Sequence, residues 1–182
     1  MIQVAIAVLG TVLLAAVSRR SLAHPRAHGF SRFFAFAAIL WLIVLVAPHW
    51  FRRPGEPAQI LSWALLAVSL FLAIHGFRLL HRLGKPTLPP PGSPLYRVEN
   101  TTALVTAGAY RYIRHPLYAS ALFGTWGAVL KAPSPPSIVL GLIATVFLFA
   151  TATAEETENV VRFGDAYRDY MARTRRFIPF VL

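Results

Sequence analysis

The sequence predicts an all-α fold: a polytopic membrane protein with about five transmembrane helices, the fourth and fifth forming a short hairpin, and a cytoplasmic amphipathic C-terminal helix. Of its 182 residues, 56% are hydrophobic and only 14% charged, against roughly half and a quarter in a soluble domain. The apolar residues gather in five runs, and the 18 lysines and arginines fall mainly between them. A net charge of +11 distributed over short connecting stretches, rather than along one face, speaks for membrane topology and against nucleic acid as a partner.

The runs lie at about Ile2 to Val17, Phe33 to Ala47, Ile60 to Leu80, Leu117 to Leu130 and Ile138 to Ala154. The first has no basic n-region, because Arg19 and Arg20 follow it, so a retained helix is expected there rather than a signal peptide. Most runs are shorter than the ~20 residues of a perpendicular span. The fourth, at about 14 residues, covers only ~21 Å of a ~30 Å hydrocarbon layer. It either crosses as a short helix or re-enters, and Pro133-Ser134-Pro135-Pro136 ends it.

Under the positive-inside rule, an N-terminus outside puts fifteen of the 18 basic residues on the cytoplasmic side and leaves Arg52, Arg53 and Lys131 outside. The C-terminus and the long loop after helix three are then cytoplasmic, and a bacterial inner membrane is the expected location. A single membrane domain, 1–182, divides into three N-terminal helices (1–80), a cytoplasmic linker (81–116), a helical hairpin (117–154) and a cytoplasmic tail (155–182). Between Gly84 and Leu95 the linker is too rich in proline and glycine for a helix and suits an extended linker or flap. In the tail, Val160, Phe163, Tyr167, Tyr170 and Met171 recur at helical spacing between charged residues, as in a helix lying at the interface.

Chemistry concentrates where helix four begins. Pro116 is pre-organised for a first helical position, which makes His115 the N-cap and leaves free N–H groups at Leu117, Tyr118 and Ala119. A carboxylate bound there meets unpaired donors, the positive end of the helix dipole and Arg114 together. A basic cluster with aromatic anchors at headgroup level is the plainer reading of the same residues. Histidine directly before the proline, with tyrosines on both sides, is more than an anchor requires.

Glu155, Glu156 and Glu158 hold three of the seven acidic residues, at the end of the fifth run. They form either a solvated boundary paired with Arg162, or a carboxylate pair facing a cationic or hydroxyl-bearing ligand on the membrane face that carries His115. His24 and His28 straddle Pro25 in a basic loop, and no metal site is expected there. His75, one turn before Arg78, either lines a pocket or makes an internal hydrogen bond. The absence of cysteine excludes thiol nucleophiles and disulfides. No Gly-x-Gly-x-x-Gly, P-loop or nucleophile elbow supports soluble nucleotide-binding or hydrolase designs.

Two motifs resemble the integral membrane methyltransferases that include isoprenylcysteine carboxyl methyltransferase and the phospholipid methyltransferases. One runs from Leu104-Val105-Thr106 through Gly108 and Tyr110 to Arg114-His115-Pro116-Leu117-Tyr118. The other is Glu155-Glu156, then Phe163-Gly164, Tyr167, Tyr170 and a closing Arg176-Phe177-Ile178-Pro179-Phe180. Together they cover about the last 80 residues. The resemblance implies an S-adenosylmethionine site formed by Leu104, Val105, Gly108, Tyr110, Arg114, His115, Pro116, Leu117, Tyr118 and Glu155. Methyl transfer would go to a lipophilic, membrane-embedded acceptor by in-line displacement, with membrane lipids as the surroundings. An amine acceptor must first lose a proton, which gives Glu156 or His115 a catalytic role; a carboxylate or thiolate needs no base.

Two departures stand out. Thr151 and Ala152 occupy the turn where the prenylcysteine branch carries an arginine, and Ala119-Ser120 replaces the glycine that often follows the tyrosine of the Arg-His-Pro box. Sterol reductases are similar in this region, so an NADPH-dependent membrane reductase is the second reading. Glu155-Glu156 disfavours the phosphates of such a cofactor. A non-enzymatic membrane accessory protein is the third.

Overall fold

Each apolar run becomes a helix. The computed structural model describes residues 1–181, and Leu182, the last residue of the expected tail, lies outside the described residues. The helices are α1 (Ile2–Val17), the single turn α2 (Arg19–Leu22), α3 (His28–Val46), α4 (Pro57–Leu83), α5 (Pro116–Val129), α6 (Pro135–Phe163) and α7 (Asp165–Arg173). Proline opens α4, α5 and α6, where its missing N–H costs nothing. Ser134 and Ser137 close a reciprocal capping box on α6. Three helical stretches are long and apolar enough to cross a membrane: His28–His49, Pro57–Leu83 and Pro135–Phe163. At 16 and 14 residues, α1 and α5 reach only ~24 and ~21 Å.

The helices pack as two pairs, α3 on α6 and α4 on α5, joined where α5 meets α6, with α1 outermost against α3. Lipid offers apolar helices no hydrophobic reason to associate, so close contact needs small residues and buried hydrogen bonds. The seam between α4 and α5 supplies both. Ser62 Oγ donates to the Gly127 carbonyl at 2.6 Å and Ser69 Oγ to the Ser120 carbonyl at 2.7 Å. A Cβ placed on Gly127 would sit 3.0 Å from Leu66 Cγ and 3.2 Å from the Ser62 carbonyl oxygen. At the far end of this seam the Lys131 ammonium donates to Gln59 Oε1 at 3.2 Å and lies 3.5 Å from the Trp63 ring centroid.

Three features differ from the sequence expectation. Helix α6 does not stop near Ala154 but continues to Phe163, 29 residues in all, or ~43 Å. Glu155 and Glu156 therefore lie within a continuous helix and escape the unfavourable dipole of a C-terminus. The tail is not one amphipathic helix: Gly164, at φ 60 and ψ −135, breaks it in a conformation that side-chain-bearing residues rarely adopt. The nine residues of α7 then turn Tyr167 and Tyr170 inward. Finally, His28 is not a loop residue; it opens α3 and is buried.

Replacing Gly127 by leucine forces α4 away from α5. The expected outcome is a loss of about 1–3 kcal/mol of stability, read as a lower melting temperature of the protein in detergent, with Gly55→Ala, which meets no neighbour, as the silent control.

Candidate active site

A cavity of about 240 Å³ opens at the end of the bundle where α3 and α5 begin and α6 ends. Its wall is built from six parts of the chain: Arg32 and Phe36 of α3, Leu80 of α4, the segment from Tyr96 to Val105, the start of α5 with His115, Leu117 and Tyr118, Glu155, Asn159 and Phe163 of α6, and Tyr167 and Tyr170 of α7. Arg114 and Tyr110 complete it. Of the residues expected from sequence, Leu104, Val105, Tyr110, Arg114, His115, Leu117, Tyr118 and Glu155 come together on this wall.

Gly108, Pro116 and Glu156 do not line the cavity; they stand behind it. Gly108 has φ +58, and a Cβ there would meet His75 Nε2 at 2.6 Å. His75 instead accepts a hydrogen bond from the Ala109 N–H at 3.3 Å, an internal contact that props the Gly108–Arg111 turn. Pro116 packs against Gly76, where any Cβ would stand 3.2 Å from the Cβ of the proline ring.

Glu156, 4% exposed, is the centre of a buried ion cluster. Its Oε1 accepts from Arg114 Nε at 2.7 Å, and its Oε2 from Arg176 Nη2 at 2.7 Å. His115 Nε2 lies 3.3 Å from Oε1. Arg114 also donates through Nη1 to the Thr174 carbonyl at 2.5 Å. Backbone pairing reinforces this clasp, since the Arg114 and His115 N–H groups donate to the Arg175 and Arg176 carbonyls at 2.7 and 3.1 Å. The carboxylate thus ties α6, the entry to α5 and the tail into one unit.

Glu155, next in the chain, has the opposite fate. It lines the cavity and forms no ion pair with any described residue. Across from it, His115 is the N-cap of α5 as expected, without a side-chain cap bond. The Leu117 and Tyr118 N–H groups have no backbone partner among the described residues, whereas Ala119, expected to be free, donates to the His115 carbonyl at 2.8 Å. The helix start therefore offers two free donors rather than three. Burial, reinforced by the Glu155 carboxylate, raises the Tyr110 phenol well above its usual pKa; burial does the same for Tyr167 and Tyr170. All three remain neutral hydroxyls.

Sequence reasoning missed the side of the cavity made by α3 and the linker. Arg32 forms an ion pair with Glu99 and lies 4.8 Å from the Tyr96 ring centroid. His28 donates its backbone N–H to Glu158 Oε1 at 2.9 Å and brings Nδ1 within 2.7 Å of Oε2. Arg162 Nη1 donates to the Glu99 carbonyl at 2.8 Å. The available signal was Arg32 itself, a charge entering an apolar run, which is costly unless paired.

A helical bundle in which Arg114, His115 and Glu155 border one cavity, with Glu156 tying that helix entry to the tail behind it, is the arrangement to set beside the membrane methyltransferases. The phospholipid methyltransferase family model matches residues 57–165, and the chain belongs to this family. Among its relatives, methanethiol S-methyltransferase 1 of Bradyrhizobium diazoefficiens is 26% identical over 125 residues, 65% of this chain and 39% of the relative. The methanethiol S-methyltransferase of Pseudomonas deceptionensis is 27% identical over 119 residues, 65% and 42% of the two chains. Protein-S-isoprenylcysteine O-methyltransferase of Mus musculus is 30% identical over 127 residues, 66% and 43%. The chain spans about two-fifths of the length of these curated relatives.

Truncating Glu156 to alanine strands Arg114 in a site where its side chain is 10% exposed. Unfolding in detergent is expected to cost about 3 kcal/mol less than in the wild type. Arg168→Gln, which breaks an exposed pair with Asp165, changes stability by less than ~1 kcal/mol.

Proposed function

We propose that the chain is an S-adenosylmethionine-dependent methyltransferase acting on a lipophilic acceptor that reaches the cavity from the bilayer. The observation that carries this reading is Glu155: a carboxylate outside every ion pair among the described residues, sharing a tyrosine-walled cavity with a helix start that has two N–H groups without backbone partners. An amino acid group bearing both charges fits between them. Its ammonium pairs with Glu155, and its carboxylate is held by the Leu117 and Tyr118 N–H groups and the edge of Arg114 that the Glu156 cluster leaves unused. The rings of Tyr110, Tyr118, Tyr167 and Tyr170 suit the sulfonium and the adenine. When bound, S-adenosylmethionine supplies an electrophilic methyl group.

The remaining work is positional. The Glu156 cluster fixes Arg114 and His115, and the linker and α7 keep water from the cavity. Glu156 is accordingly a positioning residue, and His115 is the member of the pair that meets the cavity. Relatives named for methanethiol and for isoprenylcysteine support acceptors that are small or lipophilic. For topology, we take α1, α3, α4 and α6 to cross the bilayer with α5 as a short fifth span, the cavity on the cytoplasmic side and Arg52, Arg53 and Lys131 outside. This is the arrangement that satisfies the charge bias.

Calorimetry of the protein in detergent tests the reading. S-adenosylhomocysteine should bind, and Glu155→Gln should weaken it by roughly tenfold to a hundredfold, the worth of one charge-assisted bond. Arg19→Gln, outside the cavity, should leave the affinity unchanged. Binding of NADPH without S-adenosylhomocysteine would replace the methyltransferase reading with a reductase.

A further inference from the structure

A second cavity, of about 300 Å³, lies where α1 gives way to α2, between Val17, Arg19 and Arg20 on one side and Ser93 and Tyr96 of the linker on the other. Two hydrogen bonds join its walls: Ser21 Oγ donates to the Pro94 carbonyl at 2.9 Å, and the Tyr96 hydroxyl donates to the Val17 carbonyl at 3.3 Å. No acidic residue is part of the lining. Arg32, Arg114 and Arg176 are each held by a glutamate, whereas Arg19 and Arg20 form no ion pair with any described residue. Two like charges on one rim, with no carboxylate beside them, are relieved by a bound anion. Ser93 Oγ accepts from the Leu95 N–H at 3.2 Å and keeps its own O–H to donate to such an anion.

Arginines at the end of a membrane helix often serve topology alone. Here a second feature leads into the same cavity. Ile2, Ile6, Leu9, Leu13 and Val17 follow one another at intervals of three or four residues and therefore share one face of α1. All five are more than half exposed, on a helix that packs against α3 and α2. Val17, the last of them, lines the cavity. An apolar stripe that runs into a basic pocket matches acyl chains joined to a phosphate. A soluble anion or an acidic peptide would leave the stripe unused.

We infer that this cavity binds the headgroup of an anionic phospholipid, its phosphate held by Arg19 and Arg20 and its acyl chains laid along the exposed face of α1. Such a lipid is a resident of the fold and not the molecule that is methylated; its site stands whatever reaction the first cavity performs. The two cavities are nevertheless coupled, because Tyr96 lines both. The ring of Tyr96 lies 4.8 Å from the Arg32 guanidinium carbon, and its N–H donates to Glu99 Oε2 at 2.9 Å. A lipid seated against Tyr96 braces the linker where the linker walls the active-site cavity.

The test uses the 182-residue chain, stripped of lipid in detergent, and dioleoyl phosphatidylglycerol as the probe. Native mass spectrometry should show one phosphatidylglycerol retained per chain, and titration with it should raise the melting temperature. Arg19→Gln combined with Arg20→Gln should weaken binding roughly thirtyfold, since one arginine near an anionic headgroup is worth a factor of about five. Arg26→Gln combined with Arg82→Gln removes the same charge from exposed positions outside both cavities and should leave binding unchanged. Equal weakening in the two double variants means diffuse attraction and overturns the site. Ser93→Asp is a separate check: its carboxylate can still accept from the Leu95 N–H but opposes the phosphate, so retention should be lost. Retention as in the wild type overturns the placement. Phosphatidylcholine held as tightly as phosphatidylglycerol overturns the anionic class. Inorganic phosphate or glycerophosphoglycerol, the headgroup without its chains, binding as tightly as the whole lipid overturns the role of the α1 stripe.

Discussion

A single buried carboxylate organises this protein. Glu156 sits within a helix of 29 residues and receives donors from two arginines and a histidine that arrive from opposite directions in the chain. Coulombic attraction between charges this close is strong, but removing them from water costs several kcal/mol per ion, so the cluster stabilises the fold only as a complete set. Its completeness is what the other features serve. The short parallel pairing of residues 112–115 with 175–176 holds Arg176 in place, Gly164 turns the chain so that α7 can return, and Tyr170 donates to the Tyr110 carbonyl at 2.6 Å behind it. The cavity wall, with Glu155 one residue away, is shaped by this scaffold together with the apolar cluster of Ile113, Tyr118, Ala119 and Phe177.

Why neighbouring glutamates divide their labour follows from helix geometry. Successive side chains point about 100° apart around the axis, so two adjacent carboxylates cannot face the same partner. Glu156 turns toward the Arg114 and Arg176 side chains and Glu155 toward the cavity. The sequence announced a carboxylate pair and a helix entry on one membrane face, and both are found together. It did not announce which carboxylate would be consumed by structure, because that depends on Arg176, twenty residues later and in an irregular tail.

The five helices were legible because apolar runs in lipid must satisfy their backbone internally, which leaves helix as the available form. Helix ends were less legible. The hydropathy of α6 falls at Glu155, yet the backbone continues, since the carboxylates there find partners in Arg114, Arg176 and His28 that hydropathy does not record. The α3 side of the cavity was invisible for a related reason. Arg32 reads as a topology signal and His28 as a loop histidine, whereas their buried pairing with Glu99 and Glu158 joins residues 67 and 130 positions apart. The α4–α5 seam was not legible either, because glycine and serine in an apolar run are too common to locate a contact.

The clasp between the Arg-His-Pro box and residues 174–176 also fixes an order of events during biosynthesis. Arg176 follows α1 through α7, so Glu156 leaves the ribosome before one of its two guanidinium partners does. Until that residue arrives the carboxylate is short of a donor and the wall beside Glu155 is unfinished. The cluster is therefore complete only once the tail has reached the bundle and made its few backbone hydrogen bonds with residues 112–115.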